Sequence, residues 1–127
     1  ASEEISMSEF TVEIRIGDSS GRRFESVQAL VGTSATYTTL PDSVLRRLGV
    51  HPTGDRSFVL PDSRCVRRSA ANVPITLAGQ TLLNLVVFES DDATPRLGAV
   101  TLATFGLAVD PVNRRLIRVD ALLKSHA

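Results

Sequence analysis

The stretch ALVGTSATYTTLP, residues 29–41, decides how this chain is read. An apolar strand ending, Ala29-Leu30-Val31, runs into Gly32, Thr33, Ser34 and Ala35 before a tyrosine, three threonines, a leucine and a proline. Small residues in succession mark a place where something approaches the backbone closely: a ligand, another chain, or the chain itself in a tight turn.

Upstream, Phe10, Val12, Ile14 and Ile16 alternate with Thr11, Glu13 and Arg15, the two-residue period of a half-buried strand. Gly17 to Gly21 supplies turn residues, and the run from Arg22 to Val31 forms the second arm of a hairpin. Downstream, Pro41 suits the first position of a helix, Asp42 and Ser43 suit its positive end, and Val44, Leu45 and Leu48 form its apolar stripe. Gly49 closes this two-turn helix.

Short strands are expected at Ser57 to Leu60, Arg64 to Arg68 and Asn72 to Leu77, the last two separated by a small-residue link. Ala78-Gly79-Gln80 is a hairpin turn, and Leu82 to Phe88, apolar except for Asn84, predicts a central strand covered on both faces. Gly98 to Gly106 reads as a second short helix. Leu107 to Val109 and Arg115 to Val119 form a closing hairpin about Asp110-Pro111-Val112-Asn113. The fold class is therefore mostly β with two short helices.

At 127 residues the chain fits one core, expected over 9–121, with loose ends at 1–8 and 122–127. Fourteen basic residues balance fourteen acidic ones, so no global field favours nucleic acid or an anionic membrane. The four Arg-Arg pairs, at 22–23, 46–47, 67–68 and 114–115, read as solvated faces. Cys65 is the single cysteine, which excludes an internal disulfide or thiolate cluster and fits a reducing compartment. ASEEISMSEF has neither the basic nor the apolar region of a signal peptide, and no apolar run reaches the roughly 20 residues needed to span a bilayer. A cytoplasmic protein with no cofactor and no metal is expected.

Ser34, His51 and Asp55 are the nearest set to a serine-protease triad, but Ser34 lacks the strand-turn-helix elbow such a nucleophile needs. Neither histidine has a partner four residues away for a metal. Asp91-Asp92 reads as a solvated turn, and the Pro-Asp-Ser of LPDSR, residues 60–64, as a hairpin tip that can also face a cleft.

Taken in order, hairpin, small-residue loop, short helix, hairpin, apolar strand, Leu-Gly, short helix and closing strand, the chain resembles the retroviral-type aspartic proteases. Residues 29–41 fall on that family's apolar-apolar-Asp-Thr/Ser-Gly-Ala motif and the Leu-Pro segment after it; Leu85 to Phe88 with Leu97-Gly98, and residues 107–116, are similar to its later motifs. The resemblance implies a closed, barrel-like acid-protease half-domain that pairs with a second copy across a two-fold axis, each copy giving one aspartate. Two carboxyls about 3 Å apart share one proton, so that one acts as base and the other as acid. It also implies that Thr33 matches the threonine that bonds across the axis. Leu60, Pro61, Asp62, Ser63 and Arg64 match the flap that closes over an extended peptide.

Here Gly32 stands at the family's aspartate position and Ser34 at its glycine. The degenerate loop Gly32-Thr33-Ser34-Ala35 offers no carboxylate at the axis, hence no evident way to activate water. The expectation is an inactive homodimer that binds a peptide or protein segment. The alternative is a substituted form of an active endopeptidase.

Overall fold

The computed structural model describes residues 9–32 and 35–120. Eleven elements run along the described chain, of which β3 and β7 were not expected from the sequence: β1 (Phe10–Gly17), β2 (Phe24–Val31), β3 (Thr38–Pro41), α1 (Asp42–Arg47), β4 (Gly54–Val59), β5 (Cys65–Leu77), β6 (Gln80–Glu89), β7 (Arg96–Leu97), α2 (Ala99–Thr104), β8 (Leu107–Asp110) and β9 (Arg115–Arg118). The fold is mostly β with two short helices.

Seven strands form one sheet in the order β1-β2-β7-β3-β6-β5-β4. A second pairing of β1, with the end of β5, curls six of them into a ring from which β4 hangs as a flap. β1 and β2 pair antiparallel from Phe10↔Val31 to Gly17↔Phe24, so the alternation read in β1 sends Ile14 and Ile16 inward. Their apolar faces meet Val31, Leu40, Leu45, Val73, Ile75, Val86 and Leu97 in one core. Burying a leucine, isoleucine or valine of this kind is worth about 1.5–3 kcal/mol, which makes the ring interior the principal stabilising feature.

Several expectations need correcting. β5 is one continuous strand rather than two, because Ala70 and Ala71 do not break it: they pair with Val87 and Val86 of β6 and are buried. β4 leaves β5 at Ala70 and β1 joins at Ile75, so Pro74, which has no N–H to donate, falls where β5 has no neighbour on that side. β6 is covered on both faces only over Val86 to Phe88; β3 flanks it from Val86 onward, and Leu83 is 67% exposed. Pro41 ends β3 and caps α1 instead of entering it.

The helices are as short as their stripes suggest. Gly49, at φ +73°, ends the α1 segment with its N–H on the Arg46 carbonyl at 2.9 Å. Ser43 N–H donates to Asp91 Oδ1 at 2.8 Å, so part of the acidic turn caps α1 from a distant loop. The Arg-Arg pairs are largely exposed, with Arg46, Arg47, Arg68 and Arg115 each in an ion pair. No helix among the described residues is long and apolar enough to cross a membrane.

Candidate functional site

The Gly32 loop is fixed from behind by hydrogen bonds that its sequence permits. β2 enters it beside β7, in parallel register at Leu30↔Arg96 and Val31↔Leu97, and β3 leaves it between β7 and β6. Gly98 lies directly against this return: a Cβ there would come within 2.3 Å of the Tyr37 carbonyl carbon and 2.5 Å of Thr36 O. Only glycine fits so close to backbone. Ala99 N–H then donates to Ala35 O and Val100 N–H to Thr36 O, both at 2.9 Å. The Thr38 hydroxyl, 0% exposed, accepts from Gly98 N–H at 3.0 Å and shares a hydrogen bond with the Thr101 hydroxyl at 2.6 Å.

In front of this anchor lies a cleft of about 720 Å³. Its floor is the sheet face opposite the core, because alternation that turns Thr38 and Leu40 inward turns Tyr37 and Thr39 outward beside Val87, Glu89 and Arg96. The β4–β5 hairpin forms its roof with Phe58, Val59, Leu60 and Pro61, and Phe58 meets Tyr37 edge to face at 5.5 Å. Ala35 and Thr36 close the side next to Gly32.

The flap residues singled out from the sequence divide. Leu60 and Pro61 line the cleft, whereas Asp62, Ser63 and Arg64 form an exposed tip, with Arg64 Nε on Asp62 Oδ2 at 2.6 Å and Ser63 at φ +70°. Thr33 and Ser34 lie outside the described residues, so the roles expected of them are not placed here. Of the rejected triad, Ser34 is outside the described residues; Asp55 accepts from Ser69 Oγ at 3.0 Å, and His51 is exposed beside a separate depression of about 250 Å³.

Glu9 is the residue that sequence reasoning missed. A Cβ built on Gly32 would meet Glu9 Cγ at 2.8 Å and Oε2 at 3.0 Å, so the glutamate side chain occupies the place of a residue-32 side chain. Its carboxylate accepts from Arg96 Nη1 at 3.2 Å, and its carbonyl from Arg114 Nη2 at 2.8 Å. An acidic residue at the edge of a polar N-terminal segment carries no sequence signal of this role; the contact exists because β1 pairs Phe10 with Val31, which sets the residue before β1 beside the residue after β2. A second pair, Arg68 Nε to Glu89 Oε1 at 2.8 Å, lies in the same cleft. Both cleft carboxylates are thus engaged by arginines.

Neither the known protein-family models nor the curated proteins match this sequence. The arrangement itself is an apolar, partly aromatic cleft with the β4–β5 hairpin above it and two ion pairs in its lining. It can hold an extended chain by contact and hydrogen bonding, and it presents no carboxyl at position 32 to activate water.

Proposed function

We propose that this is a retropepsin-like domain that binds an extended peptide in the cleft without cleaving it, and that it works as a homodimer. The element order, with a small-residue loop, a flap hairpin and Leu-Gly before the second helix, supports the resemblance. The observation that carries the non-catalytic reading is Gly32 itself, with no carboxyl, its side-chain place filled by the cleft residue Glu9. A single aspartate per copy is the whole of the family's acid–base machinery, so its loss removes the activation of water while leaving the walls that hold a peptide.

The flap supplies a way to bind. β4 is an edge strand paired on one side with β5, so its other edge offers backbone N–H and C=O groups to an extended partner, while Phe58 and Leu60 offer apolar contacts. Sedimentation and peptide retention test this together. The expected result is a particle of two chains that retains octapeptides from a randomised library; a one-chain particle that retains none contradicts it.

A further inference from the structure

A guanidinium carries five N–H donors in a planar fork. Arg96 places one of its Nη1 donors on Glu9 Oε2, and among the described residues its remaining N–H groups meet no acceptor. The Arg96 side chain is 42% exposed and Glu9's is 15%, so the carboxylate stands behind and the guanidinium in front, in the cleft. Arg68, the other cation of the lining, is more fully engaged, by Glu89 at 2.8 Å and by the Arg67 carbonyl at 3.1 Å.

The position of Arg96 matters as much as its donors. It stands on β7, in the interior of the strand order, directly beside Thr39, with aromatic Tyr37 and Phe58 in the same lining. A charge-assisted hydrogen bond made in such partly dehydrated surroundings is stronger than one in open water. The hairpin roofing the cleft adds field of the same sign, since residues 54–69 hold four arginines against two aspartates.

Gly32 is part of the same device. A side chain at 32 would displace Glu9, and an aspartate there would stand beside Arg96 and compete for it. We propose that Arg96, backed by Glu9, is the recognition residue of the cleft and selects an extended peptide that carries an aspartate or glutamate side chain among apolar neighbours. This rests on the peptide-binding reading above and names its ligand class.

The test uses acetylated, amidated octapeptides with valine, leucine and phenylalanine around one central glutamate, and the same peptide with glutamine or lysine there. Calorimetry on the wild-type chain should show the glutamate peptide binding roughly tenfold or more tighter than the glutamine peptide, an advantage that shrinks as salt rises. Arg96→Met should erase the difference while keeping the glutamine peptide's affinity within about twofold. Equal affinity for glutamate and glutamine peptides, or tighter binding of the lysine peptide, overturns the proposal and leaves the peptide reading standing. A glutamate preference that survives in a folded Arg96→Met overturns the assignment to Arg96. A glutamine peptide with a free C-terminal carboxylate that binds tighter than the amidated glutamate peptide overturns the side-chain assignment. Binding of none of the peptides overturns this proposal and the peptide reading together.

Discussion

Replacing Thr38 by valine removes one hydroxyl from the anchor behind the cleft while leaving its shape almost unchanged. The hydroxyl is 0% exposed and serves two partners, Gly98 N–H at 3.0 Å and the Thr101 hydroxyl at 2.6 Å. Thr38→Val orphans the Gly98 N–H, pressed against residues 36–38 where water has no room, and takes a partner from Thr101, itself 1% exposed. An unsatisfied buried donor costs about 1–3 kcal/mol, and a weakened second bond brings the expected loss to about 2–4 kcal/mol after the gain from the added methyl. For a domain of this size that is a fall in Tm of roughly 8–15 °C. Thr101→Val should cost less, because Thr38 keeps Gly98, and the double variant should cost less than the sum of the two. Thermal and urea unfolding of the four proteins measure the cycle. A Thr38→Val protein within about 0.5 kcal/mol of wild type would refute the claim that this hydroxyl holds the loop to α2.

Asp91→Ala should cost about 1 kcal/mol by removing the acceptor of Ser43 N–H, whereas Asp92→Ala, whose partner is the Ser90 hydroxyl of its own loop, should stay within about 0.5 kcal/mol; urea unfolding separates them. The Asn113 side-chain amide, together with the Asn113 backbone N–H, holds the Asp110 carboxyl below its ordinary range. A lowered folded pKa favours the ionised form, so this contribution to the β8–β9 turn is present above the unfolded pKa and is lost as pH falls through the folded one. Asn113→Ala should therefore move the Asp110 carboxyl resonance titration upward in pH, and an unchanged midpoint would contradict the cause assigned.

Much of the architecture was legible because its signals are periodic or punctuated. β1 alternates, β2 ends in a wholly apolar run, and Gly49 and Gly106 stop the helical segments at φ +73° and +68°. The elements that escaped were those without a period. β7 is two residues long, and β3, inside Thr-Thr-Leu-Pro, shows its alternation only once the neighbouring strands are known. The small residues at 69–71 looked like a link because their reason for being small, close packing of β4, β5 and β6, is a tertiary fact. At the site, the cleft and two of the five flap residues lining it follow from chain order. The place of Glu9 does not, since it depends on the β1–β2 register across the 22 residues between it and Gly32.

Gly32, Glu9 and Arg96 meet in one small volume. Gly32 leaves it open, Glu9 fills it, and Arg96 holds the carboxylate there, which makes the glutamate part of the cleft wall. The anchor behind it, Gly98 with Thr38 and Thr101, keeps the loop in place whether or not chemistry occurs in front.

Peptide turnover tests this account most directly. The purified chain, incubated with a randomised octapeptide library from mildly acidic to neutral pH, should leave every peptide intact by mass spectrometry of new amino termini. New termini that accumulate in proportion to this chain's concentration, and that vanish on Glu9→Gln, would contradict it and make Glu9 a catalytic carboxylate.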